Sequence, residues 1–311
     1  MSKLVVVGTV AFDAIETPFG KTDKILGGAA TYIGLSASQF NNVDTAIVSV
    51  VGGDFPQEHL DLLTGKDMDI SGLEIVKEGK TFFWSGKYHN DMNSRDTLAT
   101  ELNVLEHFNP VVPENYKDAE IVMLGNLHPL VQQGVLNQMN KKPKLAILDT
   151  MNFWMDIALD DLLAVIKNVD VITINDEEAR QLTGEYSLVV AARKIHEMGP
   201  KYVVIKKGEH GALLFHDDNM FYAPALPLEE VFDPTGAGDT FAGGFAGYLA
   251  QSGDISFENM KNAVIYGSTL ASFCVEKFGT ERMATLKNEE VSNRLTEFKS
   301  LTHFEIASKQ N

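Results

Sequence analysis

The stretch VFDPTGAGDTFAGGF, from Val231 to Phe245, places three nearly side-chain-free residues directly before an acid at the predicted start of a helix. Small residues at a helix N-terminus leave unpaired N–H groups accessible, and the helix dipole adds partial positive charge there. We therefore expect the N–H groups of Gly236, Ala237 and Gly238 to form an anion site beside Asp239. A carboxylate there can accept the proton of a hydroxyl that attacks the bound anion. The pairing predicts phosphoryl transfer, although a helix cap followed by close helix packing would explain the same residues.

Outward from this stretch, strand-like apolar runs alternate with amphipathic helical segments. The runs lie at residues 4–10, 45–51, 119–125, 144–149, 170–175 and 201–206. Two further helices are predicted near 237–251 and 257–276. Continuous apolar strands separated by helices indicate an α/β fold with a mainly parallel sheet covered on both faces.

Residues 79–105 interrupt this alternation, because they contain two or three strand-like segments with no helix between them. Residues 11–25 are predicted to add another strand. A small antiparallel flap that shields bound substrate would fit this pattern, and a decorative insertion is the alternative. We expect one domain over residues 1–311 with the two flap segments inserted in it, and a frayed tail from about residue 304.

Composition excludes several classes of function. A net charge of −17 makes nucleic acid and anionic membranes poor partners, and no apolar stretch approaches the length of a membrane span. The single cysteine, Cys274, cannot form an intrachain disulfide, which favours a cytoplasmic location. Gly20-Lys21-Thr22 resembles the end of a P-loop, but Ile15 stands where that motif requires glycine. The eight histidines show no metal-ligand spacing.

The order of several short motifs resembles the ribokinase-like, or PfkB, carbohydrate kinases. The segment from Asp233 to Phe241 resembles that family's signature D-[TP]-T-G-A-G-D-x-F. Four other landmarks follow the family's order: Asp13 after the first strand, the pair Gly27-Gly28, the N-x-x-E motif of Asn175 and Glu178, and the glycine turn Lys206-Lys-Gly208-Glu-His-Gly211.

This resemblance implies a three-layer α/β/α core with a small β-sheet lid, and transfer of the ATP γ-phosphoryl group to an alcohol, usually a primary CH2–OH. It implies that Asp239 is the base and that the three amides before it bind the migrating group. By the same analogy Asn175 and Glu178 organise Mg²⁺, Glu178 through water, although a helix cap would explain both residues. The remaining nucleotide-side candidates are Thr235, Lys206, Gly208, Gly211 and Asn262. A monovalent cation such as K⁺, seen in some relatives near the Asp233 loop, is left open.

The acceptor side is predicted from the same analogy, and two positions depart from the family pattern. Asp13 is suited to accept hydrogen bonds from neighbouring hydroxyls, and Gly27 and Gly28 would allow close backbone approach. Tyr32 stands where many members have asparagine, and either its hydroxyl contacts the ligand or its ring only packs. Lys206 stands where the glycine turn usually begins with threonine, and it is either a charge that reaches a nucleotide phosphate or a solvated residue at the end of a strand. Further acceptor-side candidates, for which core packing is the alternative, are Trp84, Asn126 and Asn152.

Several acceptors remain compatible with these residues. The leading hypothesis is a kinase of a free sugar, and a nucleoside kinase is the nearest alternative because Trp84, Phe153 and Trp154 could stack on a base. A phosphorylated sugar would require a basic pocket, for which Arg95 is the single candidate. A ligand-sensing protein without activity is disfavoured by the presence of Asp239. A homodimer through the flap edge is left open.

Overall fold

A computed structural model describes residues 1–303 of the protein. The expectation for the tail from about residue 304 lies outside the described residues. The strands are β1 Ser2–Val7, β2 Ala11–Thr17, β3 Gly20–Lys21, β4 Ile25–Gly27, β5 Val43–Gly52, β6 Met68–Val76, β7 Phe83–Tyr88, β8 Arg95–Glu101, β9 Ile121–Leu124, β10 Leu145–Asp149, β11 Val171–Asn175, β12 Tyr202–Lys206, β13 Ala212–His216 and β14 Asn219–Ala223.

Helices separate most of these strands. The α-helices are α1 Ala29–Ala37, α2 Gln57–Gly65, α3 Pro129–Gln138, α4 Asn152–Ile157, α5 Leu159–Ile166, α6 Asp176–Thr183, α7 Leu188–Met198, α8 Ala237–Ser252, α9 Phe257–Cys274, α10 Glu281–Thr285 and α11 Asn288–Thr302. Short 3-10 helices span Asn103–His107, Glu114–Tyr116 and Gly208–His210. None of the helices within residues 1–303 combines the length and apolar character needed to cross a membrane.

Nine strands form the large sheet in the order β14-β13-β12-β11-β10-β9-β1-β5-β6. Neighbouring strands of this sheet run parallel, except for the antiparallel pairs β12–β13 and β13–β14. Alternate residues of β1 enter two separate cores: Leu4 and Val6 pack on the side of α1, α8 and α9, whereas Val5 and Val7 pack on the side of α3, α5 and α7. The predicted three-layer α/β/α arrangement is therefore present.

The carboxyl ends of the parallel strands meet at one edge of this sheet. In open α/β sheets that edge is where ligands bind, because the loops that follow the strands converge there. Asp149, Asn175 and Lys206 are the last residues of three adjacent strands and therefore lie side by side at this edge.

The small sheet contains both segments in which the flap is predicted, in the order β3-β2-β7-β8 with β4 also paired to β2. It differs from the prediction at one pair, since β2 and β7 run parallel. The reason is topological: β2 follows β1 and β7 follows β6, and both of those strands leave the large sheet at the same edge. The small sheet therefore lies beside the edge at which ligands bind.

Candidate active site

The anion site predicted from the glycines forms the start of α8. Gly236 is the N-cap residue with a φ of 74°, a left-handed conformation that glycine adopts without strain. A Cβ at this position would lie 2.5 Å from the ring of Tyr32. Only glycine therefore fits between the ring and the turn.

Two of the three predicted amides are free to bind an anion. Within the described chain, the N–H groups of Gly236 and Gly238 donate to no carbonyl oxygen. The Ala237 amide differs from the prediction, because it donates to the carbonyl of Pro234 at 3.2 Å. That bond closes the turn, and the amide of Asp239 is unpaired like those of the glycines. Within the described chain, the amides available to an anion at this turn are therefore those of Gly236, Gly238 and Asp239.

The Asp239 carboxyl lies in the first turn of α8, and the residue is half-buried. Burial raises its pKa to about 7, the negative charge of Asp149 adds to the rise, and the positive charges of Lys206 and Arg95 oppose it. A carboxyl with a pKa near 7 can be ionised at neutral pH and still accept a proton, which is what a general base requires.

Asp13 and the glycine pair lie together, as the sequence predicts. The Asp13 carboxyl lies against Gly27, where a Cβ would be 1.9 Å from Oδ2. Burial and the negative charges of Asp233 and Asp239 together raise the pKa of Asp13 to about 7, against the opposing effect of the Gly28 N–H. Because Asp239 perturbs Asp13, the two carboxyls share one electrostatic environment. They could hold an acceptor between them.

Tyr32 lies against the turn at the start of α8. Its ring is buried under Gly236, and among the described residues its hydroxyl has no hydrogen-bond partner. The ring thus packs, as one of the two predicted alternatives proposes. An acceptor contact of its hydroxyl remains a prediction.

Asn175 and Glu178 form a capping box at the start of α6. Asn175 Oδ1 accepts from the Glu178 N–H at 2.8 Å, and Glu178 Oε2 accepts from the Asn175 N–H at 2.9 Å. The helix cap that the sequence offers as the alternative is therefore present. Burial raises the pKa of Glu178 to about 7, and the charge of Lys206 opposes that rise. The role of Glu178 toward Mg²⁺ remains a prediction.

The glycine turn after β12 has Gly208 and Gly211 at its ends, and Lys207 N–H donates to the Gly211 carbonyl at 2.8 Å. The small sheet reaches this turn, since Asn93 Oδ1 lies 2.9 Å from a Cβ position at Gly208. The contact of Asn262 with the nucleotide remains a prediction. Asn262 is exposed on α9, in a depression of about 400 Å³ beside Phe221.

The small sheet also contacts the loop before α8. Thr235 Oγ1 donates to the Tyr88 hydroxyl at 3.1 Å, and Tyr88 is buried. Trp84 pairs in register with Asp13 across β2 and β7, and register partners project from the same face of a sheet. Trp84 is thus placed beside Asp13.

Asn126 and Asn152 follow β9 and β10 at the ligand edge. Asn126 Oδ1 accepts from Trp154 Nε1 at 2.7 Å, and its amide donates to the sulfur of Met151. Trp154 packs edge-on against Phe153, which is about half exposed. Asn152 is exposed at the start of α4. Asn126 therefore orients an aromatic surface.

The sequence marks Asp149 only as the end of a strand and Tyr88 only as an aromatic residue of the flap, and it predicts the contacts of neither. Asp149 ends β10 beside Lys206. Tyr88 lies in a segment whose pairing depends on contacts far away in sequence. Asp233 is structural here, since its carboxylate accepts the N–H groups of Thr235 and Gly279.

Comparison with known proteins decides the family. The model of the pfkB family of carbohydrate kinases matches residues 1–286. The chain belongs to the PfkB carbohydrate kinase family. It is therefore a phosphotransferase with an alcohol group as acceptor, and the predicted resemblance is confirmed.

Two relatives and two structures illustrate the range of this PfkB family. The chain is 37% identical over 255 residues to a cytidine kinase of Thermococcus kodakarensis, covering 80% of this chain and 89% of the relative. It is 26% identical over 303 residues to a nucleoside kinase of Methanothermobacter thermautotrophicus, covering 89% and 91%. The nucleoside kinase structure from Methanocaldococcus jannaschii superposes with a TM-score of 0.77 at 22% identity, covering 96% and 99%. A Burkholderia thailandensis nucleoside kinase with inosine gives 0.74 at 20% identity, covering 96% and 99%. These structures confirm the ribokinase-like fold.

Proposed function

We propose that this PfkB protein transfers the γ-phosphoryl group of ATP to the primary CH2–OH of a nucleoside. The observation that carries the proposal is the Asp239 carboxyl beside the unpaired amides of Gly236 and Gly238. A base next to a preorganised anion site supplies the two functions that phosphoryl transfer requires of protein groups.

The proposed reaction uses Asp239 as the base. The hydroxyl oxygen of the acceptor forms a bond to the γ-phosphorus, and the hydroxyl proton passes to the Asp239 carboxylate. The bond from that phosphorus to the bridging oxygen breaks, and its electron pair leaves with ADP. Asp13 holds the acceptor so that its hydroxyl lies in line with the breaking bond.

The acceptor side supports a nucleoside more than a free sugar. The cytidine kinase of T. kodakarensis shares 37% of residues with this chain. Phe153 and Trp154 form an aromatic surface at the ligand edge, and Trp84 faces the site from the small sheet. Aromatic rings favour a flat base as partner. A free sugar, the leading hypothesis from sequence, is the second candidate because Asp13 suits any adjacent pair of hydroxyls.

A panel of acceptors tests this assignment. Nucleosides, free pentoses and hexoses, and sugar phosphates are each mixed with ATP and Mg²⁺, and ADP release is measured. We expect kcat/KM for the best nucleoside to exceed that for ribose by at least about tenfold, because a stacked base adds binding energy of about 1–3 kcal/mol. A free sugar as the best acceptor would instead establish the second candidate.

The residues present fit a magnesium site in which the protein supplies few of the ligands. Among residues 1–303 no three acidic, histidine or cysteine side chains gather closely enough to hold a metal ion. Mg²⁺ commonly binds one or two carboxylates together with waters and phosphate oxygens. Glu178 would supply such an oxygen, directly or through water. Bound Mg²⁺ would neutralise part of the charge on the phosphates. A related ribokinase-like protein from E. coli is described in complex with ATP and Mg²⁺.

Removal of Mg²⁺ with EDTA should abolish ADP formation, and added Mg²⁺ should restore it.

Glu178→Gln should raise the Mg²⁺ concentration for half-maximal rate by about 10-fold, because outer ligands of metals typically contribute 10–100-fold to affinity. Glu177→Gln is the matched control, since Glu177 is exposed in the same helical turn. Equal Mg²⁺ dependence of the two variants would contradict a role for Glu178.

Tyr88→Phe should weaken the contact between the small sheet and the loop before α8. It removes the hydrogen bond from Thr235, which is worth about 1 kcal/mol. We expect the acceptor KM to rise about fivefold, with the melting temperature nearly unchanged, because the sheet then holds the acceptor less firmly. Steady-state kinetics at saturating ATP measure this effect, and an acceptor KM equal to that of the wild type would exclude it.

A further inference from the structure

Lys206 and Asp149 form a buried ion pair at the ligand edge of the large sheet. Lys206 Nζ lies 2.9 Å from Asp149 Oδ2 and 3.1 Å from Oδ1. The two side chains are 15% and 6% exposed. Burial lowers the pKa of Lys206, but the charges of Asp149 and Glu178 outweigh this effect and hold the pKa above its usual value. Lys206 is therefore a fixed ammonium ion.

This ammonium adjoins the anion site. A Cβ placed on Gly238 would lie 3.2 Å from Lys206 Nζ, so the charge lies against the Cα of a residue whose amide is unpaired. Lys206 reaches this position because β12 ends at the carboxyl edge, two strands away from Asp149 across β11.

Several carboxylates surround the predicted anion site, so an anion can bind there only if a cation offsets their repulsion. Asp149, Glu178 and Asp239 all face Lys206 and perturb its pKa. The other cation that influences Asp239 is Arg95, which is exposed on β8. A polyphosphate that enters among three carboxylates meets repulsion, and Lys206 is the buried group that can offset it.

We propose that Lys206 is a catalytic residue that contacts the migrating phosphoryl group, and that Asp149 is the residue that positions it. The inference rests on the proposed function and assigns a further role at the same site. Lys206 exchanges no proton in this role. While the acceptor oxygen bonds to phosphorus and the bridging oxygen leaves with ADP, the ammonium stabilises the charge on the oxygens of the migrating group.

Stability alone is a weak explanation of this pair. Well-packed apolar residues often stabilise a fold as well as a buried ion pair does, because desolvation of two charges is costly. Asp149 also positions Lys206 without being free itself: its Oδ1 accepts from the Thr150 N–H at 3.0 Å, and Gln132 donates to its carbonyl. The carboxylate is thus locked, which suits the task of aiming a flexible lysine.

Three variants test the assignment, each assayed with ATP and the best acceptor of the wild-type protein. Lys206→Met should lower kcat by at least about 100-fold, because removal of one group that stabilises transition-state charge typically has an effect of this size. Lys206→Arg should recover part of the rate because it keeps the charge. Lys201→Met is the matched control, as it removes the same charge from an exposed position at the opposite end of β12, and it should stay within about threefold of wild type.

The pH dependence separates this role from a structural one. The charged and titratable groups that perturb Asp239, or are perturbed by it, are Asp13, Arg95, Asp149, Lys206 and Cys274. Lys206→Met removes a positive charge, so the acid limb of the kcat profile should move to higher pH. Asp149→Asn removes a negative charge, so the limb should move to lower pH and kcat should fall about tenfold. Shifts of opposite sign support the inference, whereas an unmoved limb in Lys206→Met overturns it.

A double variant covers the case in which a single change prevents folding. Lys206→Met with Asp149→Leu removes both members of the ion pair, so that neither is left buried without the other, and it should fold while kcat stays at least about 100-fold low. A rate within about threefold of wild type would overturn the role of Lys206. If wild-type protein phosphorylates no acceptor in the panel, the proposed function fails instead, so the two failures are distinguishable.

Discussion

Asp239→Asn is expected to lower kcat by about 10²–10⁴-fold, the range that a positioned general base supplies. Asparagine keeps the shape of the side chain and the start of α8, but it cannot accept the proton of the acceptor hydroxyl. The KM for ATP should change little, because the unpaired amides of Gly236 and Gly238 remain in place. Steady-state kinetics with ATP and the best acceptor measure both constants.

The matched control for this variant is Asp160→Asn, which changes an exposed acid in the first turn of α5. It should leave kcat unchanged. If Asp239→Asn keeps more than about a tenth of the wild-type rate, the base has been assigned to the wrong residue.

The same variant should alter stability with a defined dependence on pH. The pKa of Asp239 rises from 3.8 to about 7 on folding, so the folded state disfavours the charged carboxyl. The stability that this raised pKa confers is fully present below about 4 and is lost as pH rises to about 7. We expect Asp239→Asn to gain melting temperature over the wild type across that interval, and the gain to be constant above it.

Asp13→Ala is expected to lower kcat/KM for the acceptor by about 10²–10⁴-fold. A carboxylate that accepts two hydroxyl hydrogen bonds loses about 1.5–3 kcal/mol for each. Most of the effect should appear as a higher acceptor KM, since Asp13 holds the acceptor and transfers no proton. The KM for ATP should stay within about threefold of the wild type. An unchanged acceptor KM would place the acceptor elsewhere.

The layers of the fold could be predicted because continuous apolar strands and amphipathic helices carry strong local signals. The start of α8 was predicted at the residue where it begins, since glycines before an acid mark a helix N-terminus. β6 was missed because Met68–Val76 is an edge strand whose exposed and half-buried residues interrupt the apolar run. The parallel pairing of β2 with β7 was also missed, because it depends on which strands precede them.

The site was predictable to the extent that its residues lie in short motifs. Asp13, Gly27, Gly28 and Asp239 come together, although more than 200 positions separate the first from the last. The bond of the Ala237 amide to Pro234 could not be foreseen, because it depends on how tightly the turn closes. Nor could the locking of Asn175 and Glu178 be separated from a metal role, since one pattern serves both.

The short helix α1 has a consequence for how the two reactants meet. It begins at Gly28 beside the Asp13 carboxylate, and one turn later Tyr32 supports Gly236 at the anion site. Geometric alignment of nucleophile and electrophile is thus built into a single rigid turn of the core. A small sheet that covers the acceptor would then need only to exclude water, because α1 already fixes the direction of attack.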